Sequence, residues 1–251
     1  MCGRYSLTAT PEEVAELFGV ETPEAFPARY NIAPTQPMLV VGIGAAGKRA
    51  AMLLHWGLIP GWVKDPREFT LLLNARAETA AEKPSFRDAL RYRRILVPAS
   101  GFYEWRRPAD RKAPKQAFWV RPRAGGIVAF GGLMEHWAGK DGSEIDTGLI
   151  LTTNANATIA PIHDRMPVIV PPEHFGRWLD CRNASVFEIG DLLLPPPADL
   201  LEAIPVGDRV NRIVNDGPDL QSPVASSATA DSFAAAPGDP GEQAGKQYKL
   251  L

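Results

Sequence analysis

Cysteine is scarce in this chain of 251 residues, which contains only Cys2 and Cys181. Two cysteines exclude a disulfide framework, and with four scattered histidines they do not favour a structural zinc site. We therefore expect a protein of the reducing cytoplasm that uses no metal and no cofactor. Long apolar segments are missing too. No run reaches the roughly 18 residues of a transmembrane helix, and no signal peptide is evident, so we expect no membrane partner.

The net charge of −2 argues against a general nucleic-acid coat protein. The basic residues are nevertheless concentrated, because residues 87–123 hold eleven lysines and arginines against three acidic residues. This local excess of positive charge would attract phosphates, although solvated loops and helix faces explain the same composition.

Short strands dominate the predicted secondary structure. Apolar runs and alternation predict strands at residues 2–6, 37–43, 49–56, 94–98, 101–105, 116–120, 127–133 and 145–153, with a further β-like run at 69–73. A capping box opened by Thr10 predicts one helix, and others are predicted at residues 85–92, 172–179 and 186–193. Many short strands, few helices and no regular βαβ alternation are typical of an α+β fold.

Composition divides the chain into a domain at residues 1–220 and a tail at residues 221–251. We predict a disordered tail, because residues 222–245 carry too little apolar surface to offset the entropy of ordering. Near its end, Gln247, Leu250 and Leu251 resemble the short peptides with which bacterial replication proteins bind the sliding clamp. A frayed terminus without a partner is the alternative.

Cys2 is the residue whose chemistry stands out most. Loss of Met1 would leave an α-amine and a thiol on one residue, and such a 1,2-aminothiol condenses with aldehydes to an imine and then a thiazolidine. An internal cysteine cannot react in this way, because its nitrogen belongs to a peptide bond. Ordinary pKa values of about 8 for the amine and about 8.5 for the thiol leave both nucleophiles usable near neutral pH. The alternative is an ordinary protein that happens to begin Met-Cys.

Two further side chains suit proton transfer. Glu104 lies in an aromatic strand, where alternation places it on one face with Phe102 and leaves the neighbouring aromatic residues on the other. A carboxyl group in such surroundings holds its proton longer, unless it is simply exposed at a strand end. His163 lies in a proline-flanked loop before an apolar strand and titrates near neutrality, unless it only hydrogen-bonds to backbone.

Three side chains are candidates for binding a sugar and its phosphates. Asn74 and Arg76 end the β-like run, where an amide and a guanidinium would orient a sugar and a phosphodiester or else form a local cap. Arg4 shares a face with Cys2 if the first strand is regular, which would put a phosphate contact beside the reacting centre.

The chain resembles the SOS-response-associated peptidase (SRAP) family in six blocks that stand in order. They are residues 1–5 (MCGRY), 29–34 (RYNIAP), 56–62 (WGLIPGW), 74–79 (NARAET), 101–105 (GFYEW) and 162–167 (IHDRMP). The resemblance covers nearly all of residues 1–215. It implies an α+β fold in which antiparallel β-structure forms a barrel-like core with flanking helices. It also implies a positively charged cleft, and covalent capture of abasic sites in single-stranded DNA by the N-terminal cysteine.

The same resemblance implies roles for four catalytic residues. Cys2 would be the nucleophile after loss of Met1, and Asn74 would position the deoxyribose and the N-terminus. Glu104 would act as an acid/base at the imine, and His163 would assist ring opening and proton transfer. The thiazolidine would shield the lesion from strand cleavage in the DNA damage response, and β-elimination from the imine would give a weak lyase activity.

The resemblance also implies contacts to DNA. Arg4, Arg76 and Thr152 would bind the DNA backbone, and Trp62 would belong to a wedge that stacks beside the lesion. Some family members carry two adjacent tryptophans where this chain has Trp62 followed by Val63, which weakens the expected wedge.

Two other functions fit parts of the pattern. A thiol peptidase acting on other proteins would use Cys2 with His163 or Glu104, and a non-covalent single-stranded DNA-binding module would use the basic stretch. We favour covalent capture, with peptide cleavage limited to release of Met1. We further expect a monomer in the cytoplasm that associates with the nucleoid when it is bound to DNA.

Overall fold

The structure is a computed structural model that describes residues 2–108, 110 and 112–225. The tail beyond residue 225, with the predicted clamp-binding residues Gln247, Leu250 and Leu251, lies outside the described residues. None of the described helices combines the length and the apolar character that a membrane crossing requires.

Strands account for most of the regular secondary structure among the described residues. They are β1 (Tyr5–Leu7), β2 (Arg29–Ile32), β3 (Pro37–Ile43), β4 (Arg49–Trp56), β5 (Asn74–Arg76), β6 (Arg94–Ala99), β7 (Gly101–Arg106), β8 (Gln116–Pro122), β9 (Val128–Ala138), β10 (Glu144–Asn154), β11 (Arg165–Pro167), β12 (Ile169–Val170) and β13 (Leu201–Val206). The α-helices are α1 (Pro11–Phe18), α2 (Ala77–Ala80), α3 (Arg87–Tyr92) and α4 (Phe175–Leu179). Short 3₁₀ helices occupy Pro66–Glu68, Pro172–His174, Gly190–Leu193, Ala198–Leu200, Asp208–Asn211 and Pro218–Gln221.

Five strands close into a barrel in the order β10, β4, β3, β6 and β9, because β9 pairs in turn with β10. These pairings are antiparallel except for the parallel contact between β4 and β10. The long strands β9 and β10 are joined by seven register pairs, from Glu144↔Ala138 to Ile150↔Gly132. The predicted α+β fold with a barrel-like core of mainly antiparallel strands and few helices is confirmed.

A second sheet places the start of the chain beside the barrel. Its strand order is β13, β8, β7, β1 and β2, and all of its pairings are antiparallel. Strand β1 meets β7 through Tyr5↔Phe102 and Ser6↔Gly101. The residues that follow Cys2 are therefore paired with the aromatic strand that carries Glu104.

Helix α1 begins and ends at the residues that its chemistry predicts. Thr10 Oγ1 accepts a hydrogen bond from the Glu13 N–H at 3.2 Å, and the Glu13 carboxylate accepts one from the Thr10 N–H at 2.7 Å. Gly19 ends the helix at a φ of 63°, in the left-handed region that favours glycine. Phe18 in the last turn stacks on Phe175 of α4 at 4.9 Å, so the helix is fixed to the core.

The core below the start of the chain is aromatic. Tyr5 packs edge-on against Trp56 and Phe130, with ring centroids 5.3 and 6.3 Å apart. Phe102 meets Phe130 in the same way at 5.9 Å. Such edge-to-face pairs contribute about 0.5–1.5 kcal/mol beyond the area that they bury. These four rings form a rigid floor in the buried cluster that also contains Cys2, and we call them the aromatic floor.

Three predicted elements differ from the structure. The first strand begins at Tyr5 and not at residue 2, because a side chain rather than a strand partner holds the Cys2 carbonyl. The helix predicted at 186–193 is reduced to the 3₁₀ helix Gly190–Leu193, since glycine costs about 1 kcal/mol in a helix interior. The run at 69–73 contributes only the isolated bridge Leu58↔Leu72.

Gly101 opens β7 at a position without room for a side chain. A Cβ atom there would come within 2.5 Å of the Val120 carbonyl oxygen and 2.6 Å of Trp119 Nε1. We predict that Gly101→Ala lowers the free energy of unfolding by about 1–3 kcal/mol, measured by urea denaturation.

Gly190→Ala is the matched control, because among the described residues outside its own turn no atom lies within 4 Å of the Cβ that it would add. Its free energy of unfolding should change by less than about 1 kcal/mol. Equal stability of the two variants would show that the close approach of β7 and β8 does not constrain this strand.

Candidate active site

Cys2 lies at the centre of the candidate site. Its side chain is fully buried, and its sulfur lies 3.9 Å from the carbonyl oxygen of Arg4. The amide Nδ2 of Asn74 donates a 3.0 Å hydrogen bond to the Cys2 carbonyl. This bond joins residues 72 positions apart, so it ties the second residue of the chain to the barrel.

Asn74 is positioned by β5, which pairs in parallel with β10 from Ile150↔Asn74 to Thr152↔Arg76. One end of its amide holds Cys2, whereas Oδ1 is buried and has no hydrogen-bond partner among the described residues. An unsatisfied buried acceptor costs about 1–3 kcal/mol. The Oδ1 atom of Asn74 is therefore available to accept a hydrogen bond from a sugar hydroxyl or from an amine, as its predicted role requires.

Glu104 approaches Cys2 from the second sheet and is only 3% exposed. It projects from β7 on the side of Phe102, which belongs to the main core, whereas Tyr103 and Trp105 pack in a separate cluster as alternation predicts. Burial raises the pKa of the Cys2 thiol well above its ordinary value, and the Glu104 carboxylate raises it further. The two side chains therefore interact electrostatically, and the thiol keeps its proton in this state.

His163 lies in the turn before β11, with 22% of its side chain exposed. Its Nδ1 is 2.9 Å from the Arg165 N–H and also 2.9 Å from Asp164 Oδ1. The nitrogen cannot accept from an amide and donate to a carboxylate at once. Burial lowers the pKa of His163, although the Glu104 carboxylate opposes this effect. We therefore assign a neutral ring whose Nδ1 accepts from Arg165 and whose proton is on Nε2.

The structure brings all four predicted catalytic residues together. Asn74 binds the Cys2 backbone, and Glu104 acts on the pKa values of both Cys2 and His163. Among the described residues, no group of three or more His, Cys, Asp or Glu side chains is placed to hold a metal ion.

A buried arginine beside the site was missed by the sequence analysis. Arg165 donates to both oxygens of the Glu78 carboxylate at 2.8 and 2.7 Å, and also to Asn154 Oδ1 and the Thr152 carbonyl. Burial alone would raise the pKa of Glu78, but the hydrogen bonds from Arg165 hold it below its ordinary value. Because the Arg165 N–H also binds His163, this network fixes the imidazole. The one signal in the sequence is the place of Arg165 in the block IHDRMP.

Two of the predicted DNA contacts are on the surface. Arg76 is exposed at the end of β5. Trp62 is 61% exposed and packs edge-on against Phe69 with ring centroids 5.8 Å apart. Val63, which replaces a second tryptophan of the expected wedge, is buried, and its carbonyl accepts a 2.7 Å hydrogen bond from Trp137 Nε1. Of these two positions only Trp62 presents an aromatic side chain at the surface, and Val63 anchors its loop.

The other two predicted DNA contacts are engaged within the protein. Arg4 is half-buried, and its Nη1 donates to Asn31 Oδ1 at 2.9 Å and to the Val210 carbonyl at 2.8 Å. Thr152 is fully buried, and its hydroxyl donates to the Ala75 carbonyl at 3.4 Å. A direct contact between the Thr152 side chain and DNA does not fit this burial, because Thr152 lies inside the β5–β10 pairing.

The basic stretch at residues 87–123 does not form one phosphate-binding surface. Arg94 is buried, and its guanidinium donates to the backbone carbonyls of Leu90, Trp178, Asp180 and Ala184. Arg93 pairs with Glu135 at 2.7 Å, and Arg121 pairs at 2.7 Å with a glutamate of β13. Part of the local positive charge is therefore used inside the fold.

Comparisons with known proteins show which family and which relatives this chain resembles. A sequence model of the family described as SOS response associated peptidase (SRAP) matches residues 1–213. The chain is 39% identical over 224 residues to abasic site processing protein YoqW of Bacillus subtilis, covering 88% of this chain and 98% of YoqW. It is 30% identical over 236 residues to abasic site processing protein YedK of Escherichia coli, covering 89% and 100%. A crystal structure of a protein from Bacteroides thetaiotaomicron matches with a TM-score of 0.77 and 27% identity, over 89% of this chain and 100% of that chain.

This chain belongs to the SRAP family. The family match covers residues 1–213, and both relatives align over almost their whole length. The resemblance carried by the six sequence blocks is therefore confirmed.

The geometry predicts that His163 titrates below the ordinary imidazole pKa of about 6.5, because burial disfavours the charged ring. Glu104→Gln should lower the pKa of His163 further, since the carboxylate favours the imidazolium. An NMR titration of the ring protons measures both shifts. His136 is the internal control, because Asp146 raises its pKa and it should be unaffected by the variant. A His163 pKa at the ordinary value, or one that rises in Glu104→Gln, would contradict the site geometry.

Proposed function

We propose that this protein captures abasic sites in single-stranded DNA by forming a thiazolidine between Cys2 and the ring-opened sugar. The adduct shields the lesion during the DNA damage response. The observation that carries the proposal is the position of Cys2, which Asn74 holds where Glu104 and His163 also act. Relatives named abasic site processing proteins support the same lesion as the substrate.

Release of Met1 is the first step of the proposed reaction. In the unprocessed chain the Cys2 nitrogen is part of a peptide bond and cannot attack an aldehyde. Hydrolysis of that bond consumes one water and leaves the α-amine and the thiol on the same residue. We propose that the peptidase activity of this chain is confined to this single bond.

Imine formation follows. The α-amine adds to the C1′ aldehyde, and the resulting carbinolamine loses water once its hydroxyl is protonated. The Glu104 carboxylate is suited to take a proton from the α-ammonium group, which frees the amine to add, and to deliver that proton to the hydroxyl, because Glu104 is buried next to Cys2. Asn74 keeps the Cys2 backbone in place while its buried Oδ1 accepts from a sugar hydroxyl. His163, neutral at its lowered pKa, takes up a proton during ring opening.

The raised pKa of the Cys2 thiol sets the order of the steps. The thiol is protonated at first, so the amine reacts before the sulfur. The iminium then brings a positive charge close to the sulfur, which favours the thiolate. The thiol gives up its proton to the Glu104 carboxylate, and the sulfur adds to the imine carbon. Aldehyde and aminothiol together yield thiazolidine and one water without a change of oxidation state, and β-elimination from the imine is the competing weak lyase reaction.

The two alternative functions are supported less well. A thiol peptidase acting on other proteins needs an accessible thiolate of low pKa. Cys2 is instead fully buried, and burial raises the pKa of its thiol. A non-covalent binding module would rely on the basic stretch, which is partly engaged inside the fold. Recruitment by a sliding clamp through Gln247, Leu250 and Leu251 stays a prediction.

Cys2→Ala should abolish the complex that survives heating on a denaturing gel after incubation with a single-stranded oligonucleotide carrying one abasic site. Cys2→Ser keeps the amine without the thiol, so it should give at most an imine that borohydride traps. Cys181→Ala is the matched control and should react like the wild type, because its sulfur lies apart from the site, next to the Arg94 N–H. Equal crosslinking by Cys2→Ala would contradict the proposal.

Glu104→Gln and His163→Ala should each slow adduct formation by about 10²–10⁴-fold, the contribution typical of a positioned acid or base. The rates are measured between about pH 5 and 8 from quenched time points resolved on denaturing gels, and circular dichroism verifies folding. Glu144→Gln and His136→Ala are matched controls on exposed positions and should keep wild-type rates. Wild-type rates in both site variants would mean that these residues are structural.

A further inference from the structure

The ring nitrogen Nδ1 of His163 has two partners that require opposite protonation states. The Arg165 N–H and the Asp164 Oδ1 atom each place their heavy atom 2.9 Å from it. A backbone N–H only donates, so a bond from Arg165 requires Nδ1 to be unprotonated and leaves the proton of the neutral ring on Nε2. An ionised carboxylate only accepts, so a bond to Asp164 requires the proton on Nδ1. One imidazole is therefore held between partners that select different tautomers.

The turn that carries these residues is fixed on both sides, so both partners stay within reach of the ring. The backbone N–H of His163 donates to the Ile159 carbonyl at 3.0 Å, and the Asp164 carbonyl accepts from the Ala155 N–H at 2.9 Å. Arg165 pairs in register with β10. The Asp164 side chain itself is 78% exposed. Exchange of one partner of Nδ1 for the other therefore requires no movement of the backbone.

The tautomer decides what His163 offers to a substrate at Nε2. A proton on Nε2 makes this nitrogen a donor, whereas a proton on Nδ1 leaves Nε2 with a lone pair. Opening of the sugar ring at an abasic site requires a base that takes the proton of the C1′ hydroxyl. The tautomer bound to Arg165 cannot act as this base through Nε2, but the tautomer bound to Asp164 can.

We propose that Asp164 is a positioning residue that holds the proton of His163 on Nδ1 and so makes Nε2 the base for opening the sugar ring. The inference rests on the proposed function, and the tautomer bound to Arg165 is the resting form. The proton of the C1′ hydroxyl passes to Nε2 and from there to the ring oxygen, while the bond between C1′ and that oxygen breaks and the aldehyde forms. His163 and Asp164 are unchanged at the end, and no oxidation state changes.

Other charged groups act on the same imidazole. Glu104 of β7 and Asp164 favour the imidazolium, whereas the positive amino terminus disfavours it. Burial nevertheless lowers the pKa of His163, so the ring is neutral near pH 7 and exists there as one tautomer or the other. Asp164→Asn removes one of these charges and leaves Glu104 and the Arg165 N–H in place.

The first test observes the imidazole without any DNA. Long-range proton–nitrogen NMR correlations of the isotope-labelled full-length protein, with loss of Met1 verified by mass, distinguish a protonated ring nitrogen from an unprotonated one. In the wild type above the pKa of His163, the Nδ1 and Nε2 shifts should lie between those of the two pure tautomers. In Asp164→Asn they should move to the values of a ring protonated on Nε2 alone, and the pKa of His163 should fall.

The second test measures the reaction. Asp164→Asn should slow adduct formation with an abasic oligonucleotide by about tenfold, less than the loss expected on removal of the imidazole, because an exposed carboxylate is screened by solvent. An oligonucleotide with an acyclic aldehyde in place of the abasic sugar needs no ring opening, so the variant should react with it at the wild-type rate. Asp164→Glu keeps a carboxylate and should recover part of the lost rate.

Asp146→Asn is the matched control. Asp146 Oδ1 lies 2.8 Å from Nδ1 of His136, so the chain contains a second pair of the same kind on the hairpin of β9 and β10. The control variant should lower the pKa of His136, because the carboxylate of Asp146 raises it. It should leave adduct formation at the wild-type rate.

Identical ring-nitrogen shifts in the wild type and in Asp164→Asn would overturn the inference, and so would an equal loss of rate with the acyclic aldehyde. Normal adduct formation by Asp164→Asn on abasic DNA would refute the role of Asp164 alone. Shifts that move as expected in a protein that never forms the adduct would instead refute the proposed function and uphold the contact between Asp164 and the imidazole.

Discussion

The hydrogen bond from Asn74 to the Cys2 carbonyl is the contact on which the whole site depends. Cys2 precedes the first strand, so no ladder of backbone hydrogen bonds holds it, and chain ends without such support fray. Asn74 belongs to β5, whose register is set by three parallel pairs with β10 of the closed barrel. Through Asn74 the barrel fixes the position of Cys2, which would otherwise fray with the chain end.

Burial around Cys2 is the second constraint, and it explains the order of the steps in the proposed reaction. The aromatic floor and the Glu104 carboxylate both raise the pKa of the thiol, which keeps the sulfur protonated and unreactive toward other electrophiles. In the proposed reaction, the sulfur becomes reactive only when an aldehyde at the α-amine has formed a positively charged imine. The proposal therefore derives selectivity for an aldehyde lesion from this electrostatic arrangement, without recognition of a base.

Local pattern was sufficient for much of the fold. The strands predicted at 37–43 and 49–56 match β3 and β4 residue for residue, because alternation and a glycine turn are short-range signals. The motif blocks also identified the four residues that meet in the site. Local patterns could not predict contacts between segments that are distant in the sequence. Arg165 binds Glu78, which is 87 positions away, and Thr152 is buried because β5 pairs with β10.

The intact mass of the purified protein, before and after incubation with an abasic single-stranded oligonucleotide, tests the central claim most directly. The account predicts a chain without Met1 and a product whose mass is the sum of protein and oligonucleotide less one water. It also predicts that the Cys2 thiol in this product resists alkylation even after the protein is denatured, because the sulfur is part of the ring, whereas the thiol of the denatured free protein is alkylated. A product that retains Met1, or one whose Cys2 thiol is still alkylated, would contradict a thiazolidine at the second residue.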